Sequence, residues 1–372
     1  MPSMPKFKPS KLLEEFILIP GPPGEEVRIR NAFKEKVDQL GLKSVEDAKG
    51  NLLIPLDASA LTHPKVVITA HLDEIAMITR RILPDGRLEV TKLGGLYPHK
   101  IGEGPVLILA DSGDINGILS FGSIHTSDPT SNARQSDFKP ITWDHSSVFT
   151  GLSAGDLREK GVRPGTRVVI HPSRRGLLEV GPEHIAGFFL DDRADLVSML
   201  LVLESLAQAK ISALFIASAS EEVGGEGALF ALQKLRPDVC IALELGPFVA
   251  DAPVQLTSNP TVWTHDSYSV MSADDGRLVA KLAKEIGIEP QFQSLSGGGS
   301  DASCAAQKGL VARPITLGLP MENTHGFEIM HKDAMVELAR LTEALIRHFA
   351  NPSDPHHIGR RSVNEVNREE GA

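Results

Sequence analysis

Residues 218–228 read SASEEVGGEGA and set Glu221 beside Glu222, where like charges repel and no basic residue is adjacent. The pair follows an apolar run, ALFIASA (213–219), and it is one of several places where such a run stops at groups able to bind a cation. VVITA (66–70) leads to His71 and Asp73, GFFL (187–190) to Asp191 and Asp192, CIAL (240–243) to Glu244, and ITLGLPMENT (315–324) to His325. In an open α/β sheet the carboxyl ends of the strands share one edge, where ligands bind, so these side chains are expected to meet there.

Two imidazoles and at least four carboxylates in one pocket repel and desolvate one another unless a cation compensates. Histidine with aspartate and glutamate, without thiolate, suits zinc, cobalt or manganese rather than an iron–sulfur or structural zinc site. His71, Asp191, Glu222, Glu244 and His325 make five ligand candidates, more than a single open catalytic site takes. Two divalent metal ions sharing one carboxylate use them all and leave room for a water between them. Neighbouring side chains point different ways, so Glu222 is assigned as a ligand and Glu221 as the general base. The glycines that follow permit a tight turn into a helix whose positive amino end favours acids. Asp73, two residues beyond His71 on what reads as one strand face, is expected to orient the imidazole. Singly, each feature has a plainer explanation: an acidic helix start, a polar strand end, a loop histidine. Recurrence at five strand ends is what favours a shared site.

The elements that must position these groups are legible in the periodicity. VVITA, ALFIASA, CIALEL (240–245) and ARPITLGL (312–319) read as buried strands of a largely parallel sheet. Between them lie helical patterns at 193–209, 227–235 and 276–287, and such alternation argues for an α/β sandwich. Two more helices are expected within 10–41, split by PGPPG, with Ser10 as cap and Gly41 as stop. Residues 75–180 differ, with short strand candidates and turns at PDG, SGD and RPG, the texture of a small β-barrel or sandwich. The fold class expected is therefore α/β, with residues 1–74 and 181–350 forming a catalytic sandwich, an inserted β-barrel-like domain at 75–180, and a polar tail at 351–372. The polar segment 125–138 reads as a mobile loop.

Composition limits the partners. A net charge of -10 with scattered basic residues lacks the footprint of a nucleic-acid binder. Neither a signal peptide nor a stretch long and apolar enough for a membrane span stands out. Cys240 and Cys304 are the only cysteines, which fits a reducing, cytoplasmic setting.

The quoted segments, in order, resemble the tetrahedral or glutamyl aminopeptidase family of dinuclear metallo-exopeptidases. The likeness runs through IPGPPGEE, GNLL (50–53), AHLDEIAM (70–77), LDDRAD (190–195), SEEVGGEGA (220–228), GGGSDA (297–302) and THGFE (324–328). That resemblance implies one ion at His71 and Glu244, another at Glu222 and His325, Asp191 bridging them, Glu221 as base and Asp73 as supporting carboxylate. It also implies a metallo-aminopeptidase-like sandwich, a short peptide or dipeptide-like substrate, and a homo-oligomer. Glu244 stands where the family usually has aspartate, Asp195 replaces a common glycine, and MEN replaces an arginine–tyrosine pair before the last histidine. These variants resemble a bacterial subgroup associated with dipeptide osmoprotectants.

The chemistry expected is amide hydrolysis by a two-metal-activated water, with Glu221 carrying the proton to the leaving amine. The rivals are a serine hydrolase using Ser153, since GLSAG (151–155) matches G-x-S-x-G, and a metal-stabilised scaffold without catalysis. A dinucleotide loop at Gly225 and Gly227 is disfavoured, since it lacks a third glycine and two glutamates would repel a pyrophosphate.

Overall fold

The computed structural model describes residues 6–136 and 138–350, so the tail expected at 351–372 lies outside the described residues. The four apolar runs form four adjacent parallel strands, in spatial order Ala213–Ser218, Val66–His71, Val239–Pro247 and Arg313–Glu322. Every residue of the first two is buried, as expected for a parallel sheet covered on both faces. Antiparallel strands extend the sheet, Leu52–Pro55 on one flank and Phe327–His331 with His184–Phe188 on the other, to eleven strands in all.

Alternation along each strand feeds two cores. Ile68 packs with Phe16, Leu200 and Leu345 on the face carrying helices Pro9–Ile17, Leu190–Leu206 and Ala334–Phe349. Its neighbour Val67 packs with Ile216, Leu232 and Ala305 on the opposite face, under helices Glu226–Leu235 and Asp301–Gln307. Helix Leu190–Leu206 is buried on almost every side, the condition of an apolar helix inside a core. The first helix starts differently from the expectation at Ser10. Lys8 is the flanking residue and Pro9 takes the first turn, because a fixed φ and a missing N–H suit that position. Gly41, at φ 75°, ends the next segment after helix Val27–Gln39 as expected.

Six short strands between Ala76 and Ile170 close into a barrel around Met77, Val90, Ile108 and Val168. Gly86 in its PDG turn has φ 83°, and a Cβ there would lie 1.8 Å from Leu152 O, so the turn needs glycine. Strand Leu178–Val180 already pairs with His184–Phe188 in the large sheet. The polar segment expected as loop contains one helical turn, Asn132–Gln135. Among the described residues no helix is long and apolar enough to cross a membrane.

Barrel, amino-terminal helix and sheet meet at a buried ionic cluster. Glu74 accepts from Arg175 (Nη2–Oε1 2.7 Å, Nη1–Oε2 3.0 Å) and from Arg193 (Nη2–Oε2 2.9 Å), and all three side chains are fully buried. Spare guanidinium donors reach Ile170 O at 2.8 Å, Ile17 O at 3.3 Å, and Leu72 O. Removing one partner strands a buried charge. Glu74→Gln is expected to lower stability by about 3–5 kcal/mol, read as a fall in the denaturant midpoint. Arg80→Ala, which removes an exposed partner of Asp144, is expected to change it by less than about 1 kcal/mol.

Candidate metal and catalytic site

Parallel register places the site residues on one edge. His71 is the last residue of its strand and stands opposite Ser218, so the segment leaving Ser218 starts beside the imidazole. Glu221 and Glu222 lie in the turn that follows, not at the strand end itself. That turn is pinned from three directions. Asn51 Oδ1 accepts Ala219 N at 2.9 Å while its Nδ2 donates to Gly227 O at 2.9 Å. Glu26 Oε1 accepts Ser220 N (3.1 Å) and Oγ (3.0 Å), steadying a residue at φ 57°. Asp73 accepts Glu221 N at Oδ1 (2.9 Å) and Glu222 N at Oδ2 (3.1 Å).

Asp73 therefore acts differently from the expectation of a shared strand face. The strand stops at His71, and the imidazole Nδ1 lies 3.0 Å from the Asp73 carbonyl and 3.6 Å from its carboxylate. A carbonyl only accepts, so Nδ1 carries a proton, and Nε2 is the ring nitrogen that a cation can take once any proton there leaves. The same device fixes His325, whose Nδ1 donates to Gly95 O at 3.1 Å, a residue of the barrel segment. Both Nε2 atoms face Asp191: His71 Nε2 is 3.1 Å from Oδ1, and His325 Nε2 is 3.4 Å from Oδ2 and 3.6 Å from Glu222 Oε1.

Two donor triplets result. His71, Asp191 and Glu244 form one, and Asp191, Glu222 and His325 the other, each with its donor atoms within 4.8 Å of one another. Asp191 belongs to both. Outer groups hold the donors: Glu328 accepts Asp191 N at 3.1 Å and His325 N at 2.8 Å, and Asp192 Oδ2 accepts His71 N at 2.6 Å. Glu26, Asn51, Asp192 and Glu328 all lie in the quoted segments, and Asp192 follows one of the apolar runs, but the sequence assigns none of them a role at the site. Their role is to bind backbone N–H and carbonyl groups of distant segments, which leaves no pattern along the chain.

Electrostatics explain what the triplets fit. Burial pushes the Glu222 carboxyl up to about 7, and burial with neighbouring acids raises Glu244 well above the ordinary value. Glu221 is raised too, by burial first. Burial opposes a charged His325, yet Glu222 and Asp191 lift its pKa to about 10. Burial also works against the Asp191 carboxylate, but His325 and His71 hold its pKa below the usual range. Protons on these groups thus stand where a cation would balance the charge better, and an oxygen–nitrogen donor set suits a divalent ion. Cys304 borders the cavity, but burial pushes its thiol up to about 12, so it is no thiolate donor. Asp195 is fully buried, and burial keeps both it and Asp192 well above the normal carboxylate value.

Ser153 is not brought into this site. It caps helix Ala154–Glu159, its Oγ donating to Asp156 Oδ2 at 2.7 Å and accepting Asp156 N at 3.1 Å. A capping box takes up the hydroxyl that a nucleophile would need. Gly297, Gly298 and Gly299 border the cavity.

Residues 50–341 match the family model described as M42 glutamyl aminopeptidase. A lysyl aminopeptidase of Pyrococcus furiosus is 28% identical over 237 residues, covering 63% of this chain and 66% of that protein. A glutamyl aminopeptidase of Lactococcus lactis is 23% identical over 332 residues, 87% of this chain and 91% of that one. Among solved structures, a Pyrococcus horikoshii TET1 peptidase, described as assembling into a tetrahedron or a large octahedral shell, superposes with a TM-score of 0.81. It is 24% identical and covers 91% of this chain and 99% of its own.

A Cβ on Gly95 would lie 2.5 Å from His325 Nδ1 and 2.6 Å from Cε1. Gly95→Ala is therefore expected to displace the imidazole and weaken zinc uptake by about 10–100-fold, measured by calorimetric titration; unchanged affinity contradicts the positioning role. Because stripped protein holds protons on Glu222 and His325 at neutral pH, adding zinc is expected to release protons. Titrations in buffers of different ionisation heat measure this, and zero release would refute the proton-for-cation exchange.

Proposed function

The chain belongs to the M42 glutamyl aminopeptidase family, and from that premise we propose that it removes the amino-terminal residue of short peptides with two divalent ions. His71, Asp191 and Glu244 hold one ion; Asp191, Glu222 and His325 hold the other. The single observation carrying this reading is Asp191 shared between two donor triplets beside Glu221.

Bound ions supply Lewis acidity toward the scissile carbonyl and acidify a water. The protein's own groups do the rest. Glu221, with no lysine or arginine beside it among the described residues of the cavity wall, takes the proton from the attacking water. As the C–N bond breaks, the same carboxyl returns that proton to the leaving amine. Asp73 keeps the base in place by binding its backbone N–H. The nitrogen and oxygen donors would fit zinc, cobalt or manganese, and Glu244 Oε2 is held by accepting Leu245 N at 3.1 Å.

We extend the assembly of the TET1 peptidase to this chain as a homo-oligomer, supported by large apolar side chains left exposed, such as Val270 at 69% and Phe292 at 43%. The division into 1–74, 75–180 and 181–350 is supported by barrel strands that run from Ala76 to Ile170. A cytoplasmic setting accords with Cys240 and Cys304, both free and buried, and an acidic net charge of -10 argues against nucleic acid as a partner.

Glu221→Gln is expected to lower kcat by about 10²–10⁴-fold while ion content stays at the wild-type level; intact turnover would remove Glu221 from the mechanism. In the same assay, chelator is expected to abolish hydrolysis of aminoacyl substrates, cobalt, zinc or manganese to restore it, and amino-terminally blocked peptides to resist. Binding without turnover in every condition supports the scaffold alternative instead.

A further inference from the structure

The cavity beside the donor triplets has a volume of about 400 Å³, and its two sides differ. One side carries the imidazoles and carboxylates. The other is apolar, built from Leu245, Pro247, Trp263 and Leu295, with Tyr268 at the rim. Trp263 and Leu295 are only 5% and 4% exposed and pack together with Ala252 as a separate cluster. This wall is braced. Trp263 stands in register with Thr316 on one neighbouring strand and Gln293 on the other. Gln293 Nε2 donates to Pro247 O at 2.9 Å and Ala252 O at 2.8 Å, tying the turn after strand Val239–Pro247 to it. Gly299 admits the Tyr268 ring, since a Cβ there would lie 2.2 Å from it.

Among the described residues no lysine or arginine lines the cavity, and its carboxylates are Asp191, Glu221, Glu222 and Glu244. A glutamyl side chain lying on the apolar wall would lose water with no lysine or arginine among the described lining residues to pair with it. A lysyl ammonium on that wall would leave water for indole and leucine, and the only carboxylates in the lining are those already assigned to the ions and the base, so it would be an unpaired buried charge, which is costly. Resting on the aminopeptidase reading above, we propose that this cavity selects an uncharged, apolar amino-terminal side chain, and that Trp263 and Leu295 set the choice.

The test is kcat/KM for leucyl, glutamyl and lysyl p-nitroanilides with the zinc-loaded protein. The leucyl substrate is expected to exceed both charged ones by about a hundredfold, since even one methylene can be worth about 10–200-fold. Trp263→Ala opens the wall and is expected to raise the tryptophanyl-to-leucyl ratio about tenfold. Because that change also removes a buried ring, Tyr268→Arg at the exposed rim is the second variant. Its guanidinium is expected to raise the glutamyl-to-leucyl ratio about tenfold. Glutamyl or lysyl turnover equal to leucyl overturns the selectivity and leaves the aminopeptidase reading standing. If no aminoacyl substrate is turned over, that reading falls, and calorimetric binding of L-leucine, L-glutamate and L-lysine decides the selectivity. Tighter leucine binding supports it; equal, reversed or absent binding overturns it.

Discussion

Asp191, Glu221, Glu222 and Glu244 face one cavity with His71 and His325, and among the described residues no lysine or arginine lines it. Negative charge in that concentration, removed from water, has to be balanced, and the surrounding architecture is arranged around this need. Asp73, Asp192 and Glu328 add further acid around the cavity, and each is satisfied by backbone N–H groups of the segments that carry the site. What remains is a gap between donors that suits divalent ions. The opening pair of glutamates is intelligible in this frame. Glu222 completes a donor triplet, while Glu221 belongs to neither triplet and faces the same cavity.

The protein handles a second buried carboxylate in the opposite way. Glu74, close in sequence to Asp73, is saturated by Arg175 and Arg193, and the guanidinium groups spend their spare donors on backbone carbonyls. That cluster pairs its charges within the protein and needs no ion. Charge paired inside the fold makes a structural anchor; charge left for an external cation makes a reactive site. Both kinds sit within a few residues of each other along the chain.

The barrel is more than an appendage to this site. Gly95, in the chain between its strands, accepts the His325 proton and so fixes which imidazole nitrogen faces Asp191. Arg175, just after the last barrel strand, anchors Glu74 beside the loop that carries Asp73. The donor geometry therefore depends on how the barrel seats against the sandwich.

Sequence alone determined the parallel strands and the edge near which the polar residues gather, because burial on both faces imposes unbroken β-branched runs and the chain leaves each run at the same edge. It also marked the barrel through its turn residues, and named the donor residues through their types. Tertiary structure decided what each one touches. That Pro9 starts the first helix, that the Asp73 carboxylate grips the Glu221 and Glu222 backbone while its carbonyl sets the imidazole, and that Gly95 sets the His325 tautomer, follow from contacts between segments far apart in the chain. Such contacts are fixed by packing, and local periodicity carries no record of them.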